Sequence, residues 1–405
     1  MFRPRKQSQH PNFEDQRENM LNRALPNPAY QSALSPQPLV QDPESAKRNW
    51  KKIAKRTAIT LLVIVLLGGG WVGWKFVSNS AKVFGWGNLF GLFEHTKLKG
   101  EDQGRVNILL AGNSADDPGH NGANLTDSIM IMSVDTTHNT AFLLSVPRDL
   151  YVNIPGHGYA KINEAYQDGQ GDNFNESGYA SGGMGLLEKV VSQNFGVSSD
   201  YYALVNYTAL RDAVNAVGGV DITIQSTDPR GLYDPSRDLQ TGQPLVNLSN
   251  GVHTLNGQQA LDLARARGDS YGSYGYGRSD FTRTANQRQI LIAIKDKATA
   301  SGTLTNPIKL GELFDSFGNN VKTDMTLAEA KRFYTIMKKV PSSDIASASL
   351  SDGKNVNLLK NYTNKYGQST LIPAAGLDDY TAIQAYVQSL MGTASSTTSS
   401  SGSSN

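Results

Sequence analysis

Three short segments concentrate arginine and aspartate where strands should begin or end. Asn124-Leu125-Thr126-Asp127-Ser128 leads into an apolar run, Ser145-Val146-Pro147-Arg148-Asp149 closes another, and Ala264-Arg265-Ala266-Arg267 follows the helix-like stretch 257–263. In extended chain, alternate side chains share a side, so Arg265 and Arg267 form a two-pronged clamp. A planar guanidinium matches phosphate oxygens two at a time, and several around one site point to a phosphate group. A carboxylate such as Asp127 beside them suits Mg²⁺, whose usual protein ligands are one or two carboxylates completed by phosphate oxygens. The competing reading is a set of local ion pairs, Arg148 with Asp149 and Arg267 with Asp269, which are individually common and uninformative.

Other chemistries are weaker or excluded. The 405 residues include no cysteine, which removes disulfides, thiolate nucleophiles and cysteine-ligated zinc. The six histidines lack metal-ligand spacing and read as surface or packing residues. Neither a serine elbow nor a Walker phosphate loop is present. A formal net charge of +2 gives no general signal for nucleic acid. Gly182-Gly183-Met184-Gly185 stands before a helical stretch where an anion can bind, but a flexible glycine loop is the preferred reading. The tyrosines at 271, 274 and 276 read as a mobile loop over the site, with sugar stacking as the alternative.

The elements that must position these residues alternate in type. Residues 106–112, 128–134 and 140–146 are compact apolar strands, the last two joined by a hairpin-like connection at 135–139. Residues 184–195, 207–217 and 286–300 carry helical spacing, with strands expected at 201–205 and 220–224. This mixture predicts an α/β domain of three layers, α/β/α, over residues 105–300. Two further helices at 327–339 and 377–391 place residues 301–391 in the same domain or in a small lobe, ahead of a Ser/Thr-rich, disordered tail at 392–405.

Ahead of the domain, residues 57–74 carry no charge and match the length of a bilayer core. Trp71 and Trp74 mark one end, and Lys47, Arg48, Lys51, Lys52, Lys55 and Arg56 crowd the other. The positive-inside rule then makes residues 1–56 a disordered cytoplasmic tail, 57–77 a single transmembrane helix and 78–104 a juxtamembrane linker. A cleaved signal peptide and a buried core helix are the alternatives; the long preceding tail and Gly68-Gly69-Gly70 count against them. The apolar patch at 84–93 is too short to span and suits the outer surface.

The motifs, in order, resemble the LytR-CpsA-Psr family of cell-wall glycopolymer ligases. The resemblance runs through Val106-Asn107-Ile108-Leu109-Leu110, Thr126-Asp127-Ser128, Leu144-Ser145-Val146-Pro147-Arg148-Asp149 and Lys161-Ile162-Asn163-Glu164-Ala165-Tyr166. It continues with Val214-Asn215-Ala216-Val217-Gly218-Gly219-Val220-Asp221, Leu255-Asn256-Gly257-Gln258-Gln259-Ala260-Leu261, Arg265-Ala266-Arg267, and Asp280 with Arg283 and Gln287. Leu371-Ile372-Pro373-Ala374-Ala375-Gly376-Leu377 extends it more loosely.

The resemblance implies a phosphotransferase on the outer face of the membrane. It would move an anionic glycopolymer such as a teichoic acid or capsule from a polyprenyl-pyrophosphate carrier onto peptidoglycan, forming a phosphodiester, with Mg²⁺ as cofactor and no nucleic acid. It assigns Asp127, Arg148, Arg265 and Arg267 to catalysis, and Lys161, Asp280, Arg283 and Gln287 to the pyrophosphate. Asp127 becomes the metal carboxylate, with Asp116 or Asp117 as further candidates. The family usually has an acidic residue and, two positions on, an arginine where Ser114 and Asp116 stand here, and arginines where Leu125 and Asn286 stand. A polyprenyl-pyrophosphate phosphatase, a membrane-anchored regulator and a non-catalytic wall-polymer binding module are the alternatives. The N-terminal tail lacks the apolar periodicity of a DNA-reading helical domain.

Overall fold

The computed structural model describes residues 96–117, 122–237, 242–300, 318, 320–353 and 355–396. The stretches assigned to tail, anchor and most of the linker, including 84–93, lie outside them, as does the end of the Ser/Thr tail. Among the described residues no helix is long and apolar enough to cross a membrane.

A mixed sheet of six strands forms the centre. Its antiparallel middle is β1 (Arg105–Gly112), β2 (Ser128–Asp135) and β3 (Thr140–Val146). The β2–β3 turn is closed by its own sequence. Asp135 Oδ1 accepts the amides of Thr137 and His138 at 2.9 and 2.8 Å, and Asn139 takes the left-handed conformation that asparagine tolerates (φ 56°). One hairpin follows off this sheet, β4 (Tyr151–Ile154) with β5 (Gly158–Lys161). Next come α1 (Ala165–Gly171), α2 (Gly183–Phe195) and β6 (Tyr201–Val205), which lies parallel to β1.

A second layer of elements then intervenes: α3 (Tyr207–Ala216), β7 (Val220–Ile224), β8 (Leu232–Arg237), β9 (Pro244–Leu248), β10 (Gly251–Leu255) and α4 (Gly257–Arg265). The chain returns through the long α5 (Ser279–Ala300), β11 (Val321–Thr323) beside β6, and α6 (Leu327–Met337). It finishes with β12 (Ile345–Ser349) parallel to β3, the hairpin β13 (Leu359–Thr363) and β14 (Ser369–Pro373), and α7 (Thr381–Ser396). The sheet order is β11-β6-β1-β2-β3-β12.

Strand alternation sends side chains to two separate cores. Leu109, Ala111, Ile129, Ile131, Phe142 and Leu144 pack with Leu186, Leu187 and Val190 of α2 and Ile383 and Val387 of α7. Val106, Ile108, Val134, Ala141 and Leu143 pack on the opposite face with Ile336 and Met337 of α6, and Leu291 and Ile292 of α5 lie against them. The three expected layers are therefore present. A third apolar cluster joins α3, α4 and α5 to the strands β7 to β10.

Two sequence expectations change. The glycines at 182–185 do not form a loose loop: α2 begins at Gly183 and crosses close to α1. A Cβ on Gly183 would stand 2.3 Å from the Tyr166 carbonyl oxygen, and one on Gly185 1.6 Å from that of Ala180, so these positions are glycine for contact. The helix expected from residue 286 begins at Ser279, because its first turns turn polar side chains inward and hide the apolar periodicity.

Candidate active site

β2 and β3 are paired in register Ile129↔Val146, so the residues two steps beyond, Asp127 and Arg148, fall opposite each other at the strand ends. Arg148 donates to Asp127 Oδ1 at 2.7 Å, and Asn163 donates to the same oxygen at 3.4 Å. The Thr126 amide donates to the Asn163 carbonyl and the Asn163 amide to that of Arg148, lacing the three motifs together. The Leu371 amide donates to the Asp149 carbonyl at 2.9 Å, which braces the strand end from behind.

Arg265 is the last residue of α4, and Ala266 leaves the helix in extended conformation, which carries Arg267 onward. The helix is fixed at its start by a capping box in which Asn256 and Gln259 each accept from the other's backbone amide. Asp280, Arg283 and Gln287 lie on α5 at spacings of three and four, hence on one face. Gln287 donates to the Ala264 carbonyl at 2.9 Å and accepts from Ser128 at 2.9 Å, tying α4 and β2 to α5.

Between these elements opens a cavity of about 310 Å³. Its rim carries Asp127, Arg148, Arg265, Arg267, Arg283 and Gln287, and its depth is apolar, with Leu110, Met130, Leu210, Leu261, Ile290 and Leu291. Each guanidinium is backed by a carboxylate. Asp280 lies 2.7 Å from Arg283, 3.6 Å from Arg267 and 3.9 Å from Arg148, and Asp117 lies 3.7 Å from Arg265. The local pairs read from the sequence also exist, Arg148–Asp149 at 3.6 Å and Arg267–Asp269 at 3.4 Å. None of these acids lines the cavity; Asp127 does, so among the described residues its rim presents four guanidinium groups to one carboxylate.

The Nε atoms of Arg148, Arg267 and Arg283 are buried with no hydrogen-bond acceptor. Buried donors are normally paired; those of Arg148 and Arg267 face the carboxylates of Asp149, Asp269 and Asp280 at 3.4 to 3.9 Å, beyond hydrogen-bond reach. Arg283, only 5% exposed, is pulled below the ordinary arginine value by burial, and repulsion from Arg148 and Arg267 adds to the shift. Arg148 is pulled down by burial but held above its ordinary value by Asp127, Asp149 and Asp280.

The remaining assigned residues stand back from the cavity. Lys161 pairs with Asp149 at 2.5 Å and reaches the rim only through it. Asp280 is the hub beneath three arginines. Asp116 is committed elsewhere: its carboxylate accepts the amides of Tyr207 and Thr208 at 3.2 and 2.7 Å, while Asn206 accepts that of Ala209 at 3.0 Å. Its two oxygens thus cap the first turn of α3, and it does not line the cavity. Asn286 lines a different groove, so asparagine there removes nothing from this rim.

The segment around Tyr274 is tied to β8, while Tyr271 projects fully into solvent. Tyr274 exchanges backbone hydrogen bonds with Tyr233 at 3.1 Å, stacks on its ring, and lies under Arg230. Sequence reasoning missed Tyr207, whose ring lies under Arg265 with the guanidinium 4.9 Å from its centroid, and the apolar cavity lining. An aromatic at the first position of a capped helix was the available signal for Tyr207. The lining residues sit on seven separate elements, and no local pattern unites them.

This is a three-layer α/β domain with an arginine-rimmed apolar cavity at the strand ends. Residues 90–371 match the model of the LytR_cpsA_psr family, and the chain belongs to that family. It is 31% identical over 307 residues to the polyisoprenyl-teichoic acid–peptidoglycan teichoic acid transferase TagT of Bacillus subtilis, covering 73% of this chain and 86% of that one. It is 32% identical over 235 residues to the transferase TagU of Oceanobacillus iheyensis, covering 58% and 63%. Among solved structures, YwtF (TagT) with bound octaprenyl pyrophosphate lipid superimposes with a TM-score of 0.50 at 23% identity, over 75% of this chain and 95% of that one.

Proposed function

We propose that this protein transfers an anionic glycopolymer from a polyprenyl-pyrophosphate carrier to a peptidoglycan hydroxyl, forming a phosphodiester and releasing polyprenyl monophosphate. The observation that carries the reading is the pairing of four rim arginines with an apolar cavity directly behind them. A pyrophosphate with a long apolar tail has that same division. The names of TagT and TagU and the lipid bound to YwtF (TagT) support the same class.

Arg148, Arg265, Arg267 and Arg283 grip the pyrophosphate, and Gln287 fixes the helix that carries Arg283. The acceptor oxygen attacks the phosphorus bearing the polymer as the bond to the lipid phosphate breaks. Charge on the leaving oxygens is met by guanidinium groups already oriented by carboxylates, so little reorganisation is needed. Asp127 orients the attacking hydroxyl, and Arg148 and Asn163 hold that carboxylate in place.

Among the described residues no group of three or more histidines or acids is suited to a metal. A single carboxylate on the cavity wall still fits Mg²⁺, since the pyrophosphate can complete its shell. Asp127 would hold the ion, and the ion when bound would neutralise pyrophosphate charge. Residues 57–77 anchor the chain in the membrane with the N-terminus in the cytoplasm and the domain outside, supported by the uncharged stretch and the basic residues before it.

The test is binding of octaprenyl pyrophosphate to the full chain in nanodiscs, with octaprenyl monophosphate as comparator. The pyrophosphate should bind at least about tenfold more tightly, a preference reduced in Arg267→Ala. Equal affinity for the two lipids would contradict the assignment.

A further inference from the structure

On the side of α5 away from the arginine-rimmed cavity lies a second groove of about 520 Å³. That volume is within the range of small-ligand clefts, roughly 300–1,000 Å³. It is bounded by the first turns of α5, the end of β7 and the end of β12. Its charges are arranged differently from those of the first site. Every rim arginine there has a carboxylate within 4 Å. Here Arg278 and Arg288 have no carboxylate partner among the described residues.

Arg288 is 5% exposed and donates only to hydroxyl groups, from Nε to Ser347 at 2.6 Å and from an η nitrogen to Ser145. Burial lowers its pKa to about 10. Arg278 donates to the Ser351 carbonyl at 2.8 Å and to its hydroxyl at 2.7 Å. Asn286 is 8% exposed, and its Nδ2 is buried without any hydrogen-bond partner. The groove's one carboxylate, Asp352, accepts the amides of Asn355 and Val356. A buried guanidinium without a counter-ion and an orphaned amide donor on one wall both call for an acceptor that carries negative charge. Gln225 and Gln289 on the same walls add carboxamides of the kind that meet sugar hydroxyls.

We propose that this groove binds an anionic saccharide segment, with Arg278 and Arg288 meeting its carboxylate or phosphate and Asn286 donating to it. The anion follows from the groove itself; the saccharide class rests on the transferase reading. Two sources share the chemistry: the phosphodiesters of the transferred polymer and the carboxylates of the wall glycan.

The experiment titrates the full chain in nanodiscs with three probes: a glucosylated glycerol phosphate trimer, an N-acetylglucosaminyl-N-acetylmuramic acid disaccharide, and uncharged chitobiose. One or both anionic probes should saturate while chitobiose does not, and which one binds identifies the source. Arg278→Gln should weaken that binding about tenfold, the loss of one charge-assisted contact. Arg265→Ala should leave it unchanged. Asn286→Leu serves as a second variant that removes only an unpaired amide, and it too should weaken binding. No binding of either anionic probe, chitobiose binding equally, or unchanged affinity in both groove variants would overturn the proposal, as would binding lost only in Arg265→Ala. Intact groove binding with no transfer product would instead overturn the transferase reading alone.

Discussion

Arg148 differs from its neighbours because the carboxylate it grips is the one that lines the cavity. Arg265 and Arg267 are backed by acids outside the cavity, so neither holds the cavity's own carboxylate in place. Replacing either with alanine should therefore weaken carrier binding by about tenfold or more, read as a rise in Kd by titration with octaprenyl pyrophosphate. Arg148→Ala should act mainly on kcat, because Asp127 loses its orientation while the other three arginines still bind. A separate titration concerns Glu188, which is 6% exposed and is pushed up to about 7 by burial. Its folded pKa lies above the unfolded value, so the folded state holds the proton more tightly. The stability this contributes is complete below about pH 4.5 and is lost as pH rises through 7, about 3 kcal/mol in all. Glu188→Gln should match the wild type in denaturant unfolding at pH 5 and be more stable than it at pH 8. Equal midpoints at both values would contradict the burial argument.

At the scale of elements, the site depends on helix ends meeting strand ends. Asp116 and Asn206 together satisfy the first amides of α3, and that helix carries Tyr207 beneath Arg265. Asp116→Ala should cost about 1 kcal/mol in chemical denaturation, the usual value of a cap, and leave the Mg²⁺ concentration for half-maximal transfer unchanged. Asp127→Asn should shift that concentration. A Mg²⁺ shift in Asp116→Ala would return it to the metal site. Gly185→Ala should destabilise the packing of α2 on the segment that leads into it by about 3 kcal/mol or more, since its Cβ would overlap the Ala180 carbonyl, measured by thermal unfolding.

The strands, the α/β layering and most helices were legible in the sequence because burial on one or both faces repeats at a local period. Arg148, Arg265 and Arg267 were legible because they cluster by type beside apolar runs, whereas Arg283 was legible only through the family resemblance. What was not legible depends on distant pairing. Asp116 looked like a metal carboxylate until its distance to α3 was known, and α5 hid its first turns because Asp280, Arg283 and Gln287 replace apolar residues on an inward face. The two grooves on either side of α5 likewise come from elements far apart in the chain.

Across the whole molecule, two apolar cores on opposite faces hold the sheet, and a third cluster carries α3, α4 and part of α5 against it. The arginine-rimmed cavity is built where β1, β2 and β6 meet α3, α4 and α5. A carrier lipid can reach such a cavity if residues 57–77 hold the domain at the membrane. The most direct test of the account is mass spectrometry of products made by the full chain in nanodiscs from a synthetic polyprenyl-pyrophosphate glycan, Mg²⁺ and peptidoglycan oligomers. A phosphodiester-linked glycan on the oligomer, absent when Arg265→Ala replaces the wild type, is the predicted result. Release of the glycan phosphate to water without any linked product, or an undiminished product in Arg265→Ala, would contradict it.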